Sequence, residues 1–415
     1  MSRPLRIVRL ANFITPVSGG LRTALQHLGE GYLAAGHEPV LVMPGSAAPG
    51  RPAIRAESTT QGKVITLPGT PVPGTGGYHV LARRQPVEAL LDALAPDRLE
   101  VSDRTTLRWT GEWARRNRVP AVMVSHESAD AVLRTWGMPP GAARAAADRL
   151  NRRTAHAYSR IVCTTAWAAA EFERLGARNV VRAPLGVDLD RFRPALRDGA
   201  LRARYAGGAA VLLVMCSRLS AEKRPGRALE ALAELRRRGV DVALVVAGEG
   251  PLRGRLEARA RAAGLPVTFL GHVADRDRLA ALQACADIVL APGPAETFGL
   301  AALEALACGT PVVASALSAL PALIGPAGAG ATDGRGFADV VQRLLARPES
   351  ARRAAARSQA ERYGWPAAVS RVPRRPRSRA PDHRFLRRRP ARPHTGSHAM
   401  TRRRPLSTRA AGETP

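Results

Sequence analysis

Two glutamates eight residues apart, Glu296 and Glu304, bracket the segment Pro292-Gly293-Pro294-Ala295-Glu296-Thr297-Phe298-Gly299-Leu300-Ala301-Ala302-Leu303-Glu304. The pattern predicts a strand over Asp287–Ala291, a Pro/Gly loop that delivers Glu296, and a helix beginning around Thr297–Gly299. Glu304 then lies about two turns inside that helix, on an otherwise apolar face. A carboxylate there costs free energy unless it accepts hydrogen bonds. Sugar or ribose hydroxyls are suitable donors. The amides of Phe298, Gly299 and Leu300 would cradle phosphate, because first-turn N–H groups lack intrahelical partners. The plain alternative is an acid favoured by the helix dipole together with one partly exposed glutamate. The joint occurrence favours binding.

Other candidates cluster once each is placed at the C-terminal end of an expected strand, where ligands sit in open α/β sheets. Arg218 and Lys223 lie five residues apart in the loop after Ala210–Cys216, and two cations there suit a diphosphate. In so Arg-rich a chain, Arg218 reads nearly as well as a solvated loop residue. Lys223 is more telling, because the chain has only two lysines. Gly19 and Gly20 open a helix after the first strand, allowing close backbone approach to an anion, although a Gly-Gly turn is as often only a turn. Gly248, in Gly248-Glu249-Gly250-Pro251, is a cleft loop or simple turn chemistry. His126 ends the expected strand Ala121–Ser125, with an unspecialised loop histidine as its alternative.

The elements that position these residues alternate. Strands are expected at Leu5–Leu10, Pro39–Met43, Arg98–Ser102, Ala121–Ser125, Arg160–Thr164 and Asn179–Ala183. A second series runs Ala210–Cys216, Asp241–Ala247, Pro266–Leu270, Asp287–Ala291 and Pro311–Ser315. Helical patterns lie between them, including Leu21–Ala35, Gly141–Ala157, Arg227–Arg238, Leu252–Ala263 and Arg278–Cys285. Such alternation predicts parallel βαβ sheets. Eleven strands are many for one sheet, and the turn-rich stretch Pro184–Phe192 is the natural break. The reading is two Rossmann-like domains of class α/β, 1–188 and 189–348, then a helical segment 349–370 and a tail 371–415.

Composition narrows the function classes. The net charge is +29, yet the tail alone carries 14 arginines against Asp382 and Glu413. With 61 arginines against Lys63 and Lys223, the excess reads as a codon bias of GC-rich DNA, since a phosphate-binding surface has no reason to exclude lysine. Aromatic content is 4%, without the interleaved aromatics of nucleic-acid modules, so no specific nucleic-acid partner is expected. The Pro/Arg-rich tail should be disordered. Cys163, Cys216, Cys285 and Cys308 are scattered among apolar neighbours and read as reduced core thiols. Asp188-Leu189-Asp190 and Asp275-Arg276-Asp277 fall in loops, so no metal is expected. No apolar run reaches membrane-spanning length. Trp109 and Trp113, with the arginines of an expected helix Arg104–Arg118, would suit a peripheral membrane contact. A helix that packs its Trp pair inward and solvates its arginines is slightly favoured.

Taken together, the E-x7-E segment, Arg218-Leu219-x-x-Glu222-Lys223-Arg224, the Gly-Glu-Gly-Pro turn and Pro184-x-Gly186-Val187-Asp188-x-x-Arg191-Phe192 resemble the retaining group-1 (family 4) glycosyltransferases over roughly residues 5–365. The resemblance implies a GT-B fold, two Rossmann-like domains facing a central cleft, with donor held mainly by the second. It assigns Glu304 to the nucleotide ribose, Glu296 to hydroxyls of the donor sugar, and Arg218 and Lys223 to the diphosphate. Amides of Phe298–Leu300 and Gly20 would assist, and His126 would stand beside the donor sugar. Transfer is then retaining and metal-independent, with a nucleotide-diphosphate sugar as co-substrate and no cofactor. Val124-Ser125-His126-Glu127-Ser128 and the Pro-Val-Ser-Gly-Gly loop are similar to actinobacterial mannosyltransferases that act on lipid acceptors. That similarity favours GDP-mannose, a lipid or glycan acceptor, and a cytoplasmic location at the inner face of the membrane. The alternatives are a sugar-nucleotide epimerase of similar fold and a nucleic-acid binder acting through its basic tail.

Overall fold

Short Val/Ile/Leu runs become the strands of two sheets in a computed structural model, which describes residues 3–371 apart from 15–19, 47–53, 73–77, 127 and 136. In the first half these are β1 (Arg6–Leu10), β2 (Glu38–Gly45), β3 (Arg55–Thr59), β4 (Gly62–Pro68), β5 (Thr70–Pro71), β6 (His79–Val80), β7 (Arg98–Val101), β8 (Ala121–Ser125), β9 (Arg160–Cys163) and β10 (Val180–Arg182). β5 and β6 pair as a small ribbon. The rest form an eight-stranded sheet ordered β10-β9-β8-β7-β1-β2-β4-β3, parallel except where β3 meets β4. In the second half β11 (Val211–Cys216), β12 (Val242–Ala247), β13 (Val267–Gly271), β14 (Ile288–Ala291), β15 (Val312–Ser315) and β16 (Gly328–Ala331) form a parallel sheet ordered β13-β12-β11-β14-β15-β16.

The eleven expected runs are all strands, with ends displaced by at most two residues. Of the strands that sequence reading passes over, β16 and β3 have weak patterns, whereas β4, with Val64, Ile65 and Leu67 buried, carries a legible apolar run that the reading omits. β16 is Gly-Ala-Gly-Ala, with no branched side chain to mark it. β3 is a largely exposed antiparallel edge.

Both sheets contain a topological switch. β1 is flanked by β2 and β7, and β11 by β12 and β14, so successive crossovers leave on opposite sides. Beyond the carboxyl ends of those strands a crevice opens, and ligands of doubly wound sheets occupy it. The residues after β1, β7, β11 and β14 are therefore the ones to inspect.

Two features bear on the site. The stretch expected as a helix over Arg104–Arg118 is helical only at Thr110–Arg116. Asp103 accepts the amides of Thr105, Thr106 and Leu107 at 2.8, 3.0 and 3.3 Å, a side-chain turn that competes with helix formation. Trp113 is buried and donates from Nε1 to Asp92 at 3.0 Å, and Trp109 is partly buried beneath the Arg84 guanidinium. The pair packs inward.

The other feature is the chain's return to the first half. After the helix Glu349–Glu361, Gly364 bridges to Val187, and Trp365 stacks on His27 of the helix Gly20–Ala34 with ring centres 4.7 Å apart. Of the expected tail only Arg371 falls within the described residues.

Candidate functional site

β11 ends at Cys216, and the chain then turns through Arg218 and the short 3-10 turn Ala221–Lys223. From there the Lys223 ammonium reaches the Glu296 carboxylate in the loop after β14 and forms an ion pair with it. Arg218 Nη2 lies 3.0 Å from Glu222 Oε1, which also accepts from Ser220 Oγ at 2.5 Å. The Arg218 guanidinium stands 5.6 Å from the ring centre of Tyr78, a first-half residue. Two cations proposed for one diphosphate thus face the crevice, each balanced by a carboxylate.

Gly299 adopts φ 75° and caps the helix Leu300–Ala307. Its carbonyl accepts the Ala302 and Leu303 amides at 3.0 and 3.1 Å. A Cβ at Gly299 would meet Leu320 Cδ2 at 2.2 Å, so glycine is dictated by both the left-handed backbone and the space. Glu304 lies in this helix, buried, with Oε1 2.6 Å from Arg276 Nη2. Burial is the larger influence and pushes its pKa up, while Arg276 opposes it.

The first half supplies the facing wall. Gly20 begins its helix at the crevice, where a Cβ would stand 3.9 Å from Leu300 Cδ1. Gly19 lies outside the described residues. His126 follows β8 directly. Its Nε2 is 3.2 Å from Ser102 Oγ, and its carbonyl accepts the Thr297 hydroxyl from across the crevice. Burial, aided by the Arg104 and Arg9 charges, pushes the ring down to about 4, so it is neutral at ordinary pH. Phe13, after β1, has φ 58° and meets Tyr78 edge-on at 6.1 Å. A positive φ in a bulky residue is a strained conformation that clusters at functional sites.

Direct contacts thus bring together His126 with the Glu296-Thr297 loop and Lys223 with Glu296, while Gly20 lies opposite Leu300. Gly248 stands apart from these contacts. It packs on the Ser217 carbonyl and bridges to Gly271, joining the loop after β12 to the end of β13. Both D-x-D segments use an aspartate on backbone: Asp275 accepts from the Asp277 and Arg278 amides, and Asp188 from those of Asp190 and Arg191. Among the described residues, no group of three or more His, Cys, Asp or Glu side chains could hold a metal.

Sequence reading missed Arg276, Thr297 and Tyr78. Arg276 was passed over as part of a surface loop, and nothing in the sequence links it to Glu304, 28 residues on. Thr297 and Tyr78 matter only because the two halves face one another.

Comparison with known proteins identifies the family and the fold. Residues 207–361 match the family described as glycosyl transferases group 1, and residues 19–186 match a glycosyl transferase 4-like domain. A GDP-mannose-dependent alpha-(1-6)-phosphatidylinositol dimannoside mannosyltransferase of Mycobacterium tuberculosis is 48% identical over 368 residues, covering 88% of this chain and 94% of that protein. A GDP-mannose-dependent alpha-mannosyltransferase of Mycolicibacterium smegmatis is 28% identical over 75% of this chain and 79% of its own length. Among solved structures, sucrose-phosphate synthase from Thermosynechococcus elongatus superposes with TM-score 0.69 at 20% identity, covering 88% of this chain and 96% of that one. Anabaena HepE, solved with UDP, gives 0.68 at 17% identity over 89% and 98%.

Proposed function

This chain belongs to the group 1 glycosyl transferases, a hexosyltransferase of GT-B fold that uses a nucleotide-sugar donor, and we propose that it moves mannose from GDP-mannose to a mannosylated phosphatidylinositol in α-linkage. The observation that carries the donor and acceptor is the 48% identity, across 88% of the chain, to a protein of that description. In this reading residues 1–188 receive the acceptor, 189–348 hold the donor, and 349–370 cross back to the first domain.

Glu304 accepts hydrogen bonds from the ribose hydroxyls, exchanging or sharing its contact with Arg276. Glu296 accepts from hydroxyls of the mannose, which frees Lys223 for the diphosphate. Arg218, Lys223, the amides of Phe298–Leu300 and the Gly19-Gly20 backbone face the leaving group, with Gly248 in a further loop of the same cleft. The bond between the anomeric carbon and the β-phosphate oxygen breaks, and a bond from that carbon to an acceptor hydroxyl oxygen forms on the same face. The hydroxyl proton passes to the departing diphosphate. Negative charge grows on the diphosphate as the bond breaks, so fixed cations and helix amides there lower the barrier without a metal. His126, neutral, offers its ring and carbonyl to the donor sugar.

No described helix is long and apolar enough to cross a membrane. A lipid acceptor would present its headgroup to the crevice at the cytoplasmic face. The test is a binding and transfer panel with GDP-mannose, UDP-glucose, UDP-N-acetylglucosamine and their nucleoside diphosphates. Stabilisation by GDP-mannose and GDP alone, with mannose appearing on a phosphatidylinositol mannoside, is expected. Selective response to a UDP-sugar would overturn the donor, and isomerised donor without transfer would favour the epimerase reading.

A further inference from the structure

The loop that presents His126 is held from behind by a carboxylate that no step of the proposed transfer uses. Glu171 lies on the helix Ala166–Glu173 and is buried. Its Oε1 accepts from Ser128 Oγ at 2.5 Å and the Asp130 amide at 3.0 Å. Its Oε2 accepts from the Ala129 amide at 3.1 Å, Asn151 Nδ2 at 2.9 Å and Arg104 Nη1 at 3.5 Å. Ser128 Oγ in turn accepts the Ala131 amide at 3.1 Å. On the other side of His126, Arg104 donates to Ser125 Oγ, donates to Asn151 Oδ1 at 2.7 Å, and lies 5.4 Å from the ring centre of Phe172. The residues flanking the histidine loop, Ser125 and Ser128, are therefore both tied to one buried ion pair.

Stability alone is a poor reason to keep such a pair. Desolvating two charges offsets most of their attraction, and apolar residues of similar volume often serve as well. What an apolar residue cannot do is accept two amides at the start of the helix Ala129–Thr135 and so fix the course of the chain leaving β8. Burial pushes Glu171 up, but the hydrogen bonds from Ser128, Asp130 and Asn151 and the Arg104 charge outweigh it and hold it below the usual carboxylate range. It is ionised, as five donors require.

We infer that Glu171, with Arg104, is a positioning residue for transfer: it anchors Ser125 and Ser128–Asp130 so that the His126 ring and carbonyl face the crevice. The inference rests on the proposed place of His126 beside the donor sugar. Thr297 meets the carbonyl and Ser102 the ring, so a shift of this loop would misplace both.

The test is Glu171→Gln in the full chain, which sets an amide NH2 among donors while keeping the shape. Transfer from GDP-mannose, GDP affinity and the NMR titration of the His126 ring are compared with wild type, well below the unfolding temperature. The expected result is a fall in kcat of tenfold or more with GDP Kd within twofold; because the uncompensated Arg104 charge would by itself lower the His126 midpoint, the ring titration is read in Ser128→Ala, where the ion pair is kept. A kcat that falls by less than tenfold in Glu171→Gln would overturn the inference. Ser128→Ala removes one anchor, leaves the ion pair, and also stands in for Glu171→Gln should that variant fail to fold. A fall in kcat of at least threefold with a raised His126 midpoint is then expected, and wild-type values of both would overturn it. A wild type that moves no mannose overturns the substrate reading instead, and the ring titration, which needs no substrate, decides the clamp.

Discussion

Glu304 and Arg276 form a pair in which one partner is sealed and the other reaches solvent, with side chains 6% and 34% exposed. The two are not equivalent to lose. Removing Arg276 leaves a buried carboxylate without its cation, and breaking a pair of this kind costs about 3–5 kcal/mol at the fully buried limit. Removing Glu304 strands only a guanidinium that already reaches solvent. Glu304→Ala should therefore fold and lose GDP affinity by about 1.5–3 kcal/mol, the range for hydrogen bonds to a charged group. Arg276→Ala should lose stability first, as read by urea unfolding and calorimetry on both variants. Equal GDP affinity in wild type and Glu304→Ala would remove Glu304 from the site. The His126 ring makes a pH prediction. Its pKa is lowered from 6.5 to about 4 in the fold, so its contribution to stability is present above pH 6.5 and is lost as pH falls through 4. Between pH 7 and 4.5 wild type should lose about 2 kcal/mol more stability than His126→Asn, measured by urea midpoints. An identical loss in the two proteins would mean the ring titrates normally.

At the scale of the element, the helix Leu300–Ala307 is short, and its start is what counts. Gly299 turns the chain into it with a left-handed backbone, and Leu320 fills the space where a side chain would go. Gly299→Ala is expected to cost about 1–3 kcal/mol, from strain plus overpacking. It should also weaken GDP binding at least tenfold, because the Phe298–Leu300 amides move with the turn. Retained affinity in a destabilised Gly299→Ala would show that the amides do not contact the diphosphate. β16 and the stretch before Trp109 illustrate what pattern reading misses at this scale. Alternating Gly and Ala give a strand no apolar period, and one aspartate, Asp103, captures three amides that a helix would otherwise use.

At the scale of the molecule, the crevice exists because the two halves are joined twice, through the Pro184–Phe192 junction and through the returning segment that carries Trp365. Trp365 is 8% exposed, stacks on His27, and lies so close to Gly186 that a Cβ there would meet its Cα at 2.6 Å. Trp365→Ala should destabilise the protein by about 3–5 kcal/mol, the cost of truncating a buried Trp, as read by denaturant unfolding. Transfer should suffer more than GDP affinity, since the donor residues lie mostly in one half and the transfer geometry needs both. A variant with wild-type stability would mean that the returning segment is not a clamp.

By itself the sequence determined the local elements and the short-range constellations. Apolar runs between turn signals marked the strands, and Glu296, Gly299 and Glu304 belong to one loop-helix unit whose spacing is legible because they are neighbours in the chain. Arg218 and Lys223 were legible for the same reason. Tertiary structure decided every pairing between distant residues: Arg276 on Glu304, Lys223 on Glu296, Tyr78 over Arg218, Thr297 on the His126 carbonyl, and Glu171 behind the His126 loop. The physical reason is that periodicity records which face of an element is buried, whereas the partner a side chain meets depends on how sheets order and face one another. In a chain with 61 arginines, composition could not distinguish the arginine that pairs with a buried carboxylate from those that only meet solvent.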